Sequence, residues 1–229
     1  MHVSQLWRYP VKSLRGEALA SAVVTRDGIA GDRLVHVAGP RGPLTGRTRH
    51  GLLSLEASTG ATGQPLVGGF PWSTDEAAAL VAERAGEGAH LVANASPARF
   101  DILNLLVATD TAVSAFGHDV RRLRPNLVID GVEDETTWPG QALEIGDVLI
   151  GIHSLRARCV VTSIDPETGA QDLDVFRRIR REFGGELALN SWVIRPGTIR
   201  VGDVARLVPA DAVPENLGGW IVGADYPHA

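Results

Sequence analysis

The sequence predicts a β-rich mixed α/β fold, a β-barrel with an N-terminal β-barrel region and about three short helices. The 229 residues include 26 Gly and 13 Pro, which favours many turns between short elements. Most apolar runs are short and alternate with polar residues, as is typical of half-buried strands. Few segments combine a helix cap with apolar residues at helical spacing. The sequence also lacks the regular βα alternation that is typical of a doubly wound parallel sheet.

The N-terminal part of the chain consists of short candidate strands separated by turns. The alternation predicts strands at Val3–Tyr9, Ala18–Thr25, Leu34–Ala38 and Leu52–Leu55. Glycine and proline residues lie between these runs, where chain reversals are expected.

Three segments carry helix signals. Ser73 and Glu76 form a capping box that predicts a helix over Asp75–Ala85. A second helix is predicted from the Thr109-Asp110 cap through Phe116. The third and clearest follows the cap Asp172 and has an apolar face of Leu173, Phe176, Ile179 and Phe183.

The second half of the chain contains two similar segments, 142–150 and 198–207, each with a Gly-Asp pair between β-branched runs. This is turn chemistry between strands, and a bent sheet or barrel would use it twice. We expect the chain to divide into residues 1–90, residues 91–208 and a C-terminal tail of residues 209–229.

The charge balance argues against nucleic acid as a partner. The net charge is −5, so the chain has no overall basic field for phosphate backbones. Lys12 is the single lysine among the 22 basic residues. Clustered arginines could still bind a small anion through their planar guanidinium groups.

The cysteine content and the N-terminal sequence indicate the cellular compartment of the protein. Cys159 is the single cysteine, which excludes an internal disulfide and any multi-cysteine zinc site. The sequence shows no secretory signal pattern and no apolar run long enough to span a membrane. We therefore expect a cytoplasmic protein without a membrane partner.

Cys159 is the most reactive candidate side chain. Arg156 and Arg158 precede it, and cationic neighbours favour the thiolate, which attacks electrophiles and binds soft metals. In an extended segment, however, Arg156 and Arg158 share one face and Cys159 lies on the other. The pattern alone therefore favours a buried, inert cysteine.

Two other segments could bind an anion or a heterocycle. Arg124 and Asn126 lie at the end of a basic run, and their side chains suit a phosphate or a pterin-like ring. Lys12 and Ser13 follow Pro10 in a turn after a strand. Taken alone, the arginine segment is more often a solvent-exposed charge run, and a lysine in a turn usually faces water.

Common catalytic motifs are absent. The sequence has no dinucleotide-binding glycine motif after a strand and no P-loop, and no G-x-S-x-G marks a hydrolase. Its seven histidines show no H-x-x-x-H spacing.

Taken in order, several segments resemble the MOSC family, the domain of molybdenum cofactor sulfurases and amidoxime-reducing components. Residues 9–16 and 27–33 are similar to the β-barrel region that precedes the domain. The similarity to the domain itself rests on Arg124-Pro125-Asn126, Arg158-Cys159, Asp165–Gly169 and residues 196–203. It covers nearly residues 1–208.

This resemblance implies a molybdenum–molybdopterin cofactor whose metal is held by the Cys159 thiolate, which would be both metal ligand and catalytic residue. It also implies that cationic and polar side chains bind the cofactor's phosphate and pterin, a division that suits the chemistry of both ends. The cofactor-binding residues that the resemblance implies are Lys12, Ser13, Arg33, Arg47, Thr109, Asp110, Arg124, Asn126, Arg158 and Asn190.

The function implied is an oxidoreductase that reduces small N-hydroxylated or N-oxygenated substrates with electrons from a separate donor protein. The alternative is a sulfur-carrier or cofactor-handling protein with a persulfide on Cys159. A third reading is a non-catalytic barrel that binds another anion. The chain departs from the family in the acidic stretch before Trp138, which is longer than usual, and matches it only loosely over residues 100–108.

Overall fold

The computed structural model describes residues 1–94, 100–132 and 134–209. The described residues form three α-helices, which are α1 (Asp75–Ala85), α2 (Asp110–Phe116) and α3 (Leu173–Glu182). Short 3-10 helices lie at His50–Ser54, Val120–Arg122, Glu135–Thr137 and Val160–Ser163. No described helix has the length and apolar character needed to cross a membrane.

Strands make up most of the regular structure, which confirms the β-rich mixed fold class. The described strands are β1 (His2–Arg8), β2 (Glu17–Leu19), β3 (Ser21–Thr25), β4 (Gly28–Ile29), β5 (Val35–Gly39), β6 (Gly42–Leu44), β7 (Ala57–Thr59), β8 (Pro65–Val67), β9 (Phe70–Pro71), β10 (His90–Ala93), β11 (Leu105–Thr109), β12 (Leu127–Asp130), β13 (Ala142–Ile145), β14 (Val148–Ala157), β15 (Glu186–Arg195), β16 (Gly197–Arg200) and β17 (Ala205–Val208).

Eight strands form one large sheet in the order β17-β13-β14-β15-β11-β12-β1-β2. The ladder is not continuous around a barrel, but the sheet curves strongly. A single bridge pairs His2 with Val204, just before β17, and the Val3 amide donates to the Asp203 carbonyl at 2.9 Å. The N-terminal strand therefore meets the opposite edge of the sheet.

Three smaller sheets have three strands each, β10-β5-β6, β16-β3-β4 and β7-β8-β9. One apolar core, which includes Leu6, Val107 and Ile150, lies against the large sheet. A second core includes Val11, Val35 and Val81 and joins β5, α1 and the loops around them. The two cores leave a polar cavity between their loops.

Several local predictions are confirmed. The segment at 142–150 forms a β13–β14 hairpin in which Gly146 has a φ of 55°. A left-handed turn of this kind favours glycine. The second Gly-Asp pair joins two different sheets, because β16 pairs with β3 and β17 pairs with β13.

Three local predictions are wrong in detail. Leu52–Leu55 lies mostly in a 3-10 helix, because the amides of Leu52 and Leu55 donate to carbonyls three residues earlier. Ala18–Thr25 is two strands divided at Ala20. The α1 cap is Thr74, whose hydroxyl accepts from the Ala77 amide, and not Ser73.

The apolar face predicted for α3 also differs from the buried face. Asp172 caps the helix as predicted, and its carboxylate accepts from the Asp174 amide. The fully buried residues are Val175 and Ile179, whereas Leu173 is 42% exposed. Leu173 lies in the first turn of the helix.

The predicted division at residue 90 stays a prediction. Strands from both sides of that position share sheets, since β1 pairs with β12 and β3 pairs with β16. Most of the predicted C-terminal tail lies outside the described residues, which end at 209.

Candidate functional site

One polar cavity lies where loops of the two cores meet. The volume that the centres of water molecules can occupy in this cavity is about 200 Å³. By the same measure a single buried water needs only ~10–15 Å³. One wall comes from the N-terminal loops, including Lys12 and Arg33, and the other includes the end of β14 and Asn190 in the middle of β15. The cavity is large enough for a ligand of several polar groups.

The lining is strongly cationic. Asp101 is the single carboxylate among the described lining residues. The cationic side chains that line the cavity are Lys12, Arg33, Arg47, Arg124, Arg156 and Arg158. Because guanidinium groups bind phosphate and carboxylate in a planar, bidentate way, this composition favours an anionic ligand.

Tyr9 organises two of these cations beneath the cavity. The Arg124 guanidinium lies 4.2 Å from the centre of the Tyr9 ring, and that of Arg33 lies 5.2 Å from it. The Tyr9 hydroxyl donates to the Pro125 carbonyl at 3.1 Å. Burial raises the pKa of Tyr9, so its ring stays neutral and can attract both cations through its π face.

A buried carboxylate fixes the same region from the other side. Asp32 is fully buried and accepts from the Tyr9 amide at 2.7 Å. It forms an ion pair with Arg33 and also accepts from the Asn126 side-chain amide at 3.2 Å. Asn126 accepts in turn from the Leu106 amide. These bonds hold Arg33 and Asn126 in one arrangement.

Backbone strain is concentrated at the cavity. Four described residues other than glycine have a positive φ, and three of them, Ser13, Arg33 and Arg124, line the cavity. Each such residue costs roughly 1–3 kcal/mol and persists only where the surroundings impose it. Strain of this kind is enriched at functional sites.

Cys159 lies at the edge of this cationic lining. It follows β14, and its carbonyl accepts from the Thr162 amide at 3.1 Å in the 3-10 helix Val160–Ser163. Its side chain is half-buried and unpaired with other cysteines. Cys159 therefore lines the cavity, beside the Arg47 guanidinium.

Asp101 connects two cations near Cys159. The Lys12 ammonium lies 2.8 Å from one Asp101 oxygen, and the Arg47 guanidinium lies 3.2 Å from the other. Burial alone would raise the pKa of Asp101, but Lys12 and Arg47 lower it. Burial likewise opposes the charge on Arg47, yet Asp101 and Cys159 raise its pKa. Both side chains are therefore charged at neutral pH.

Two other arginines form no salt bridge among the described residues, although Asp101 favours the charge on Arg156 and Glu135 that on Arg158. Arg158 donates to the Leu123 carbonyl at 2.6 Å, and burial lowers its pKa to about 10. Arg156 donates to the Asn190 side-chain oxygen at 3.0 Å, and burial again lowers its pKa. Asn190 is oriented by donating to Ser154 and Leu155.

The cavity brings together most of the side chains that the sequence analysis assigned to one site. Lys12, Ser13, Arg33, Arg47, Arg124, Asn126, Arg158, Cys159 and Asn190 all line it.

Thr109 and Asp110 do not line the cavity, and we leave them out of the candidate site. Thr109 caps α2, and its hydroxyl donates to the buried Glu135 carboxylate at 2.8 Å. Asp110 accepts from the Gly131 amide at 3.3 Å. Both side chains are thus used in hydrogen bonds at the junction of β11 and α2.

Sequence reasoning missed Asp101 as a site residue and named Arg156 only as a neighbour of Cys159. Asp101 lies in the loosely matched stretch before β11, where no spacing pointed to a ligand. Arg156 carried a signal, since it lies three residues before the single cysteine. Strand alternation predicted that Arg156 and Cys159 lie on opposite faces. Because β14 ends at Ala157, that alternation does not extend to Cys159.

The donor set fits a phosphorylated cofactor with a soft metal centre. Arg124 Nη2 and Arg158 Nε are buried and have no hydrogen-bond partner among the described residues. Buried charged donors without partners are costly, and an anionic ligand could supply the missing acceptors. Cys159 provides the soft ligand that such metals prefer. Among the described residues no cluster of three or more His, Cys, Asp or Glu could hold a metal.

Comparison with protein families matches two segments that together make up most of the chain. The MOSC N-terminal beta barrel domain matches residues 1–67, and the MOSC domain matches residues 104–206. Cavity residues Lys12, Ser13, Arg33 and Arg47 lie in the first match, and Arg124, Arg158 and Cys159 lie in the second.

Curated relatives match over a shorter region. Mitochondrial amidoxime-reducing component 1 of Homo sapiens is 33% identical over 100 residues, and that of Mus musculus is 35% identical. These matches cover 37% of this chain and 29% of each relative's length.

Solved structures show low sequence identity. The YUAD protein from Bacillus subtilis is 15% identical with a TM-score of 0.47, covering 90% of this chain and 94% of that one. YiiM from Geobacillus stearothermophilus is 16% identical with a TM-score of 0.37, covering 46% of this chain and 54% of that one.

Proposed function

This chain belongs to the MOSC family, and we propose that it binds a molybdenum–molybdopterin cofactor and reduces small N-oxygenated compounds such as amidoximes or hydroxylamines. One observation carries the proposal. The single cysteine of the chain, Cys159, lines the same cavity as six cationic side chains. The similarity to amidoxime-reducing component 1 supports the reaction class.

The lining contains both kinds of group that such a cofactor needs, cationic donors and a thiolate ligand. Lys12, Ser13, Arg33 and Arg124 would bind the phosphate and pterin through cationic and hydroxyl donors. Asn126, Arg158 and Asn190 would complete the polar wall, and the Cys159 thiolate would hold the metal. When bound, molybdenum would supply the two-electron chemistry that removes oxygen from nitrogen.

Asp101 acts on its neighbours in this proposal and not as a proton donor. Its pKa is lowered by Lys12 and Arg47, so the carboxylate is ionised at neutral pH. It therefore orients the ammonium group of Lys12 and the guanidinium group of Arg47 beside the ligand. The Lys12 ammonium is a donor that can hydrogen-bond to an oxygen atom in the cavity.

The electrons would come from a separate donor protein. Cys159 is the single cysteine in the sequence, so the chain cannot build a cysteine-held iron–sulfur cluster. The proposed partners are thus a small N-oxygenated substrate and an electron-transfer protein. A cytoplasmic location stays a prediction.

Metal and pterin analysis tests the proposal directly. Protein from a host that makes the cofactor should contain molybdenum and pterin in about equal amounts, and should reduce an amidoxime with an artificial electron donor. Protein that folds and lacks both molybdenum and pterin would contradict the proposal.

Replacing the sulfur tests the role of Cys159. We expect Cys159→Ser to lose most of its molybdenum, because a hard hydroxyl replaces a soft thiolate. The measurement is molybdenum per chain by elemental analysis, with Arg177→Gln on the exposed face of α3 as the control. Unchanged metal content in Cys159→Ser would remove this residue from the metal site.

The second candidate function is sulfur or cofactor handling through a persulfide on Cys159. The half-buried sulfur favours it, since the side chain is open to the cavity and next to cations that stabilise an anionic sulfur. Mass spectrometry that finds a persulfide on Cys159, together with no amidoxime reduction by cofactor-loaded protein, would favour this function over the first.

A further inference from the structure

We propose that Arg156, together with Arg47, forms a subsite beside Cys159 for an anionic group of the substrate. The inference rests on the proposed function and narrows its substrate class to N-oxygenated compounds that carry a carboxylate or a similar anion.

Among the described residues Arg156 forms no salt bridge of the kind that three other lining cations have, although Asp101 is near enough to favour its charge. Arg33 pairs with Asp32, whereas Lys12 and Arg47 share Asp101. Within the described part of the chain, the Arg156 guanidinium instead donates to the neutral side-chain oxygen of Asn190 at 3.0 Å. A half-buried guanidinium bonded to a neutral amide keeps its charge available for a ligand.

Arg156 lies close to Cys159, the proposed metal ligand. It lies on β14, three residues before Cys159, and both side chains line the same cavity. Its Asn190 partner on the adjacent strand β15 holds the guanidinium in place. A group bound by Arg156 would therefore lie close to the sulfur.

Arg47 lies on the solvent side of the same region. Its side chain is 46% exposed, whereas that of Arg33 is 15% exposed. Its link to Asp101 brings it beside Lys12, and its Nη2 is the atom that makes this contact. An incoming substrate would meet Arg47 before it reaches the deeper cations.

The charges exceed what the cofactor needs. Lys12, Arg33, Arg124 and Arg158 already provide four cations for a phosphate, which carries about two negative charges at neutral pH. Arg47 and Arg156 add two further cations near Cys159. The carboxylates that pair with lining cations are Asp32 and Asp101, so six cations face two carboxylates. The excess positive charge favours an anionic substrate.

Two matched substrates test the inference on cofactor-loaded protein with an artificial electron donor. They are 4-carboxybenzamidoxime and its neutral isostere 4-carbamoylbenzamidoxime. We expect the wild-type kcat/KM to favour the carboxylate by about tenfold through KM, as one charge-assisted contact allows. Arg156→Gln should reduce this preference to about twofold, Arg156→Lys should retain most of it, and the control Arg177→Gln should leave it unchanged.

A binding measurement separates this inference from the reaction itself. The amidine products of the two substrates do not turn over, so calorimetry can compare their affinities for the loaded wild type and Arg156→Gln. Selective loss of affinity for 4-carboxybenzamidine in Arg156→Gln supports the subsite even if neither amidoxime is reduced, a result that would refute only the reductase. A wild type without preference, or an equal loss for both amidines, would overturn the subsite.

Discussion

At the scale of single residues, Tyr9 carries much of the site's organisation although it does not itself line the main cavity. Its ring contacts the guanidinium groups of Arg33 and Arg124, and its amide donates to buried Asp32. Like charges are held together here because the neutral aromatic face and the carboxylate offset their repulsion. The cations are thus arranged before any ligand binds, which lowers the ordering cost of binding.

Removing single cations should weaken cofactor binding. We expect Lys12→Ala and Arg124→Ala each to cost roughly 1.5–3 kcal/mol of binding free energy, the value of a hydrogen bond to a charged group. The measurement is the fraction of chains that keep pterin through dialysis, with Arg177→Ala as the exposed control. Full pterin retention in both cavity variants would contradict the site assignment.

Anion binding by the cofactor-free cavity should not depend on pH near neutrality. Burial lowers the pKa of Arg124 and of Arg158 to about 10. Each therefore loses its proton at a lower pH than an exposed arginine does, but it stays charged below pH 9. Sulfate keeps its charge over this range. The rise in melting temperature caused by sulfate should therefore be constant between pH 6 and 8.5, as scanning calorimetry can show. A transition near pH 6–7 would instead implicate a histidine.

At the scale of elements, the helices support the site without entering it. Thr109 accepts from the Ala112 amide at the start of α2 and donates to Glu135. At the other end of α2, Arg178 of α3 donates to the Phe116 carbonyl at 3.1 Å. An arginine at a helix C-terminus satisfies free carbonyls and complements the helix dipole. The two helices are therefore coupled through one side chain.

The α2 cap should affect stability and not the cofactor. Thr109→Ala removes the cap and a hydrogen bond to buried Glu135, so we expect a loss of about 1–3 kcal/mol in the free energy of unfolding. Thr109→Ser, which keeps the hydroxyl, should lose much less. Urea unfolding and molybdenum analysis measure the two effects. A variant with normal stability and little molybdenum would return Thr109 to the site.

At the scale of the whole molecule, the N-terminal strands are part of the sheet built by the C-terminal half. β1 lies between β12 and β2 in the large sheet, and β3 pairs with β16. The main core accordingly contains Val3 and Leu6 beside Val107 and Ile150. The cavity depends on this arrangement, because its two walls come from distant parts of the chain.

A fragment of residues 104–206, the span of the MOSC match, should not fold alone. It lacks β1 and β3, so β12 and β16 would each lose a partner strand and the core would lose Val3 and Leu6. Exposed edges and a missing part of the core favour aggregation. We expect no cooperative urea transition by circular dichroism, in contrast to the full chain. A cooperative transition would support the predicted division of the chain near residue 90.

The sequence by itself determined the features that depend on neighbouring residues. Caps at Thr109 and Asp172 and the turn at Gly146 follow from local hydrogen bonding and backbone preference. The β-rich class follows from short alternating runs, and ordered short motifs were sufficient to show the resemblance to the MOSC family. These signals failed at Leu52–Leu55, where tertiary packing buries consecutive leucines in a 3-10 helix.

Only the tertiary structure decided which of these residues form a site. Lys12 and Cys159 are far apart in the sequence, and their shared cavity depends on which strands become neighbours. Asp101 acquires its role from Lys12 and Arg47, whereas Thr109 bonds to the buried Glu135 carboxylate and does not line the cavity. Local patterns do not encode such contacts, because long-range strand pairing is set by the packing of the whole chain.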